Sequence, residues 1–137
     1  MTGHARRCAS CVLSLMAGAL LALPDGQAAS GDVNNGAALY GRCQACHSLA
    51  YDRTGPRHCG LFGRKAGTVA GFQYSEAMKR SSIVWTRQSL DRFIADPLKA
   101  VPGTAMGYAG VKDPRERADL IAYLSAANRS AECNLPK

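Results

Sequence analysis

Cys43-Gln44-Ala45-Cys46-His47 is the segment with the clearest chemical potential in this 137-residue chain. It sets two thiols three positions apart and an imidazole directly after the second. Thiols at this spacing can form two thioether bonds along one vinyl edge of a porphyrin. The adjoining histidine then lies under the metal and supplies one axial nitrogen. The pattern C-x-x-C-H marks attachment of c-type haem. A redox dithiol would belong to a strand-helix pattern of thioredoxin type, which the neighbouring sequence lacks. A zinc site would need further ligands. His58 and Cys59 are the only candidates, and two ligands adjacent in sequence are awkward for a tetrahedral ion.

Haem iron takes a sixth ligand, or keeps an open position if it does chemistry. Of the four methionines, Met1 and Met16 fall in the N-terminal segment. Met78 sits at helical spacing and reads as packing. Met106 lies in Val101-Pro102-Gly103-Thr104-Ala105-Met106-Gly107, a loop rich in glycine and proline well downstream of the cysteines. It is the better ligand candidate. His58 is a third, but it is too close to His47 in sequence to reach the opposite face easily.

The elements that must position these groups read as helices and loops. Asp32 is a good N-cap for a helix over 33–42. A glycine-punctuated stretch, residues 48–71, reads as loop. A short helix is expected over 75–80. Thr86 caps another that turns Leu90, Phe93 and Ile94 inward and ends at Pro97. A second loop covers 99–112. Asp113, Pro114 and Glu116 supply an N-cap, a first-turn proline and a capping box for the last helix. No segment alternates as a strand does. The fold class is therefore all-α, with short helices and long loops wrapped around one covalent haem. Loops this long are unusual in a compact domain unless a cofactor serves as their core.

The first 29 residues carry a basic start (His4, Arg6, Arg7), an apolar run from Val12 to Leu23, and small residues at Ala28 and Ala29. This is the order of a cleaved secretory signal peptide. The run of about 12 residues falls short of the roughly 20 that span a bilayer. Residues 30–137 form the functional domain with a short C-terminal tail, exported to the periplasm and not inserted in a membrane. Cys8 and Cys11 leave with the signal. The chain has 17 basic and 10 acidic residues, a net charge of +7. Arg6, Arg7 and Asp25 go with the signal, leaving 15 against 9, or +6. These charges are scattered. They argue against a nucleic-acid tail and for a positive face that meets an acidic partner, though solubility explains the charge as well.

Residues 31–128 resemble the class I cytochromes c, of the mitochondrial cytochrome c and bacterial cytochrome c2 type. The resemblance rests on Gly31-Asp32-Val33 with Gly36, on Gly55-Pro56 followed by Gly60-Leu61-Phe62-Gly63-Arg64-Lys65, and on Gly71-Phe72-Gln73-Tyr74-Ser75 with Trp85. Pro102-Gly103-Thr104-Ala105-Met106 and the closing stretch from Glu116 to Leu124 complete it. It implies that His47 and Met106 are the axial ligands and that the Pro56 carbonyl orients His47. It implies that Arg64, Tyr74 and Trp85 hold the haem propionates with Ser75 nearby, and that Thr104 braces the methionine loop. The chain departs from the family at Phe93, where a tyrosine is usual, at Met78, usually asparagine, and at His58, usually apolar. The stretch between Tyr40 and Cys43 is one residue short.

The implied activity is one-electron transport and not enzymatic turnover. The partners would be membrane redox complexes with acidic docking surfaces: a quinol-oxidising donor, and a terminal oxidase or photosynthetic reaction centre as acceptor. Lys65, Lys79, Lys99 and Lys112 are candidates for orienting a monomer on them. A haem subunit of a periplasmic dehydrogenase is an alternative, and a peroxide- or gas-binding haem protein another. In the family's fold the loop after Gly55-Pro56 lies near the end of the last helix. This implies a Cys59–Cys133 disulfide in an oxidising compartment, with two free thiols or a Cys133-linked dimer as the alternative.

Overall fold

The structure is a computed structural model that describes residues 30–134. Residues 1–29, where a signal peptide is expected, therefore lie outside the described residues. Among the described residues six helices follow one another: α1 (Val33–Tyr40), α2 (Glu76–Arg80), α3 (Arg87–Ala95), α4 (Pro97–Ala100), α5 (Pro114–Ala127) and α6 (Ala131–Asn134). Among the described residues the only β pairing is one isolated antiparallel bridge, Lys65 to Val84.

The framework is the crossing of α1 and α5. Asp32 caps α1 by accepting from the amides of Asn34 and Asn35, both at 2.8 Å. Such a cap stabilises a helix by about 1 kcal/mol. Its own amide donates to Asp119 Oδ1 at 2.7 Å, so the first turn of α1 is tied to α5. The two backbones meet at Gly36, where an added Cβ would overlap the Asp119 carbonyl and lie 2.7 Å from Tyr123 Cβ. Only a residue without a side chain permits this approach. Tyr40, 1% exposed, closes the interface with its ring 5.1 Å from that of Tyr123.

After Tyr40 the chain tightens into consecutive turns. Cys43 N–H and Gln44 N–H both donate to the Tyr40 carbonyl, and His47 N–H donates to Cys43 O at 2.9 Å. These turns absorb the residue missing between Tyr40 and Cys43, so α1 stops at Tyr40 and not at Arg42. Arg42 instead pairs with Glu116 across the interface at 3.0 Å. Glu116 is thus engaged outside its own helix. Asp113 and Pro114 begin α5 as expected, with Asp113 accepting from Arg115 N–H. The full capping box lies in α3, between Thr86 and Ser89.

Pro97 also departs from expectation. It ends α3, but it occupies the first position of α4, with Asp96 capping that turn through Lys99 N–H. Proline has no amide to lose at a helix start, so one residue serves both helices. The loop that follows begins after Ala100. Helix α6 lies in the stretch read as tail; it is one turn long, too short to show a period.

Two ties shape the walls of the central cavity. Residues 63–66 run against 83–85, with Trp85 N–H donating to Arg64 O at 2.9 Å and Gly63 N–H to Trp85 O at 2.9 Å. This sets Trp85 against the core. Val111 N–H donates to Ile94 O at 2.8 Å, which fastens the methionine loop to α3. Arg117 bridges α5 to Asp91 of α3 at 2.7 Å.

Candidate haem site

His47 is buried at the end of the turns that carry Cys43 and Cys46. Cys43 is half-buried and Cys46 exposed, and both thiols are free of disulfides. Burial pushes the Cys43 thiol upward. His47 Nδ1 lies 2.7 Å from the Pro56 carbonyl. A carbonyl only accepts, so Nδ1 carries the proton and Nε2 keeps its lone pair. Burial lowers the His47 pKa, with the Pro56 bond acting the other way. The ring is therefore a neutral imidazole with its free nitrogen available to a metal. Gly55 presses on the same ring, where a Cβ would overlap Cε1.

His58 stacks on His47. The ring centroids are 4.3 Å apart and the planes 19° from parallel. Its Nδ1 sits 3.0 Å from the Tyr40 hydroxyl. Burial first, then the charges of His47 and Arg64, pushes its pKa down to about 3. His58 is on the His47 side of the cavity, as its closeness in sequence requires.

These residues open on a cavity of about 210 Å³ whose wall includes all ten site residues expected from the sequence: Cys43, Cys46, His47, Pro56, Arg64, Tyr74, Ser75, Trp85, Thr104 and Met106. Met106 reaches it from the loop after α4, and its amide donates to Thr104 Oγ1 at 3.2 Å. Thr104 is itself buried. Among the described residues Met106 Sδ accepts no hydrogen bond, and Phe93, which lines the same cavity, has none to donate. Met78, also buried, lines the cavity from α2.

The polar residues divide in their commitments. The Trp85 indole N–H donates to no protein group among the described residues, whereas the Tyr74 hydroxyl accepts from the Val69 backbone, which offsets part of the rise that burial causes in its pKa; both residues line the cavity. Arg64 is partly engaged: its two terminal nitrogens donate to the carbonyls of Cys59 and Arg57, each at 3.0 Å. Ser75 caps α2 by accepting from Met78 N–H at 3.3 Å. A largely apolar cavity lined by two thiols, an imidazole and a thioether, with polar groups at Arg64, Tyr74 and Trp85, fits a haem with its propionates.

Residues 33–128 match the cytochrome c family. The chain is 43% identical over 112 residues to cytochrome c2 of Blastochloris viridis, covering 80% of this chain and 88% of that one. It is 45% identical over 97 residues to cytochrome c2 of Rhodoplanes tepidamans, covering 69% and 91%. The chain belongs to the cytochrome c family. Its fold is also that of cytochrome cH from Methylobacterium extorquens, with a TM-score of 0.68, 39% identity, and coverage of 70% of this chain and 99% of that one. This class I cytochrome therefore carries haem c covalently through Cys43 and Cys46, and it is a small electron carrier.

Sequence reasoning missed two parts of the cytochrome's site. The Tyr40 hydroxyl meets His58 although the two are 18 residues apart. Gly55 reads in the sequence only as part of a loop, whereas in the structure it lies against the His47 ring. The signal available for the first was the coincidence of polar aromatic groups at Tyr40 and His58, where apolar ones would pack. The Cys59 and Cys133 sulfurs are joined in the structure, with Cα atoms 5.1 Å apart. That separation lies in the usual range for a bridge.

Proposed function

We propose that this cytochrome is an exported, periplasmic shuttle whose haem iron is held between His47 and Met106. The observation that carries the reading is the wall of one cavity, which brings a neutral, hydrogen-bonded His47 and a loop-borne Met106 together with the two attachment cysteines. When bound, the haem supplies an iron centre that gains and loses one electron. The chain's residues do the rest. Pro56 keeps the proton on Nδ1 of His47 and leaves Nε2 for the iron. Leu90, Phe93, Leu120 and Leu124 keep water from the cavity. The Tyr74 hydroxyl and the Trp85 indole N–H would receive the propionates, with Arg64 and Ser75 beside them. Thr104 holds the backbone of Met106 in place.

Export rests on the signal-like order of residues 1–29, which would be removed to leave a domain over 30–137. An oxidising compartment would keep the Cys59–Cys133 bridge closed. Partners would be membrane redox complexes with acidic docking faces, met by a monomer. Lys65, Lys79, Lys99 and Lys112 are all exposed. Lys79 and Lys112 are engaged with Glu76 at 2.9 Å and Asp96 at 3.4 Å. Lys65 and Lys99 form no ion pair among the described residues and are the freer docking charges. Such encounters are small and salt-dependent.

Met106→Ala in the holoprotein tests the ligand set. The expected result is a loss of the low-spin spectrum and a large drop in reduction potential, with Met78→Ala leaving both near wild type. The reverse pattern would transfer the ligand role to Met78.

A further inference from the structure

We propose that His58, locked by the Tyr40 hydroxyl, is a positioning residue that fixes the plane of the His47 imidazole. The proposal rests on the reading of His47 as an iron ligand for its consequence, but its geometry is independent of that reading.

The Pro56 hydrogen bond fixes one edge of the His47 ring. A single bond along Nδ1 leaves the ring free to rock about the line from Nδ1 to the carbonyl. A flat ring lying nearly parallel at 4.3 Å blocks that motion on one face. An aliphatic side chain there would fill the space without presenting a plane.

The stacked ring must itself be held for this to matter, and His58 is held at both ends. Its backbone N–H is shared between the carbonyls of Ser48 and Leu49, at 3.0 and 3.1 Å. Its carbonyl accepts from Leu61 N–H at 3.1 Å. Its Nδ1 lies 3.0 Å from Tyr40 Oη. Tyr40 is fully buried, and among the described residues its hydroxyl has no other partner. A buried hydroxyl is costly unless it donates. The phenol therefore donates to Nδ1, and the proton of His58 rests on Nε2. This bond restrains rotation of the His58 ring about its Cβ–Cγ bond, so the plane that stacks on His47 is held from a second direction.

Tyr40 is anchored in turn at the α1–α5 crossing against Tyr123. The chain Tyr123, Tyr40, His58, His47 thus transmits the rigidity of the helix interface to the ligand ring. Neighbours that orient a metal-binding histidine tune the metal it holds. A change in the plane of His47 redistributes unpaired spin over the oxidised haem.

The test uses oxidised holoprotein labelled at histidine, as wild type, Tyr40→Phe, His58→Phe and His58→Leu. Two quantities are read by NMR: the exchange of the His47 Nδ1 proton with solvent and the spread of the haem-methyl shifts. Tyr40→Phe keeps the ring and removes only the hydroxyl. It should quicken the exchange about fivefold, the factor that one neutral hydrogen bond makes, and alter the methyl spread. His58→Phe keeps a flat ring without the bond and should match it. His58→Leu loses both and should exceed them. Backbone amides of α5 should exchange as before in Tyr40→Phe. Wild-type exchange in Tyr40→Phe and His58→Leu, or an increase shared equally with the α5 amides, would overturn the brace. The ligand reading is judged separately: wild-type His47 signals without a paramagnetic shift would reject it, while the exchange data would still decide the brace.

Discussion

The two sides of the haem cavity are built on different principles. On the histidine side, His47 is bonded to Pro56, pressed by Gly55 and stacked on His58, which is bonded to Tyr40. The supporting loop is tied to the end of α5 through Leu61 N–H and Asn128 Oδ1 at 3.0 Å, and to α6 through Cys133. On the methionine side, Met106 has one short-range bond from its amide to Thr104, and Met78 and Phe93, which line the same cavity, offer apolar surface alone. Hydrogen bonds specify direction, whereas apolar packing specifies volume. The histidine side is thus determined in orientation and the methionine side chiefly in shape.

Removing the bridge should erode this contrast most. A Cys59→Ser/Cys133→Ser variant opens a cross-link between residues 74 apart in sequence. Chain-entropy arithmetic values such a closure at about 4 kcal/mol. Denaturant unfolding of the holoprotein should show a loss of that order. Hydrogen exchange should rise at amides 58–61 and stay unchanged at 104–107. An equal rise in both loops would show that the bridge stabilises the whole domain and not the histidine side.

A single methyl group at Gly55 should come next. The Cβ of Gly55→Ala has no space beside His47, and overpacking of this kind costs about 1–3 kcal/mol. Gly107, in the methionine loop, has nothing within 4 Å of an added Cβ and no left-handed backbone. Gly107→Ala should stay within about 0.5 kcal/mol of wild type. Comparable losses for the two alanines would remove the distinction in packing tolerance.

The smallest effect is on pH dependence. Burial, the leading cause, raises the Tyr40 pKa above the ordinary phenol value of 10.0. Above pH 10 the unfolded chain loses this proton while the folded chain keeps it. The folded state then binds more protons, so stability falls as pH rises, by at most about 1.4 kcal/mol per unit for one group. Tyr40→Phe should flatten that part of the slope in unfolding measured on either side of pH 10. Phe93, the corresponding ring on the methionine side, cannot titrate, so Phe93→Leu should leave the slope unchanged.

Much of this protein follows from short stretches of sequence. The attachment motif occupies five adjacent residues, and its chemistry is independent of distant contacts. The caps at Asp32, Thr86 and Asp113 act on amides two or three positions away, so they are legible locally. Met106 stands out as a ligand candidate because a methionine in a Pro-Gly-Thr loop has little other use. Pro56 and the propionate-side residues needed the family resemblance, since a lone carbonyl or tyrosine has no pattern of its own.

The tertiary structure alone decided which polar groups already had partners. Arg64 spends two nitrogens on the carbonyls of Cys59 and Arg57, Glu116 reaches Arg42 from 74 residues away, and Pro97 starts a helix besides ending one. It also decided the pairing of Tyr40 with His58 and of His58 with His47. The reason is physical. Capping and periodicity depend on neighbours along the chain, which the sequence specifies directly. Stacking and buried hydrogen bonds depend on how turns and helices from separate segments converge, and that convergence exists only once α1, α5 and the loop between His47 and Arg64 have packed together.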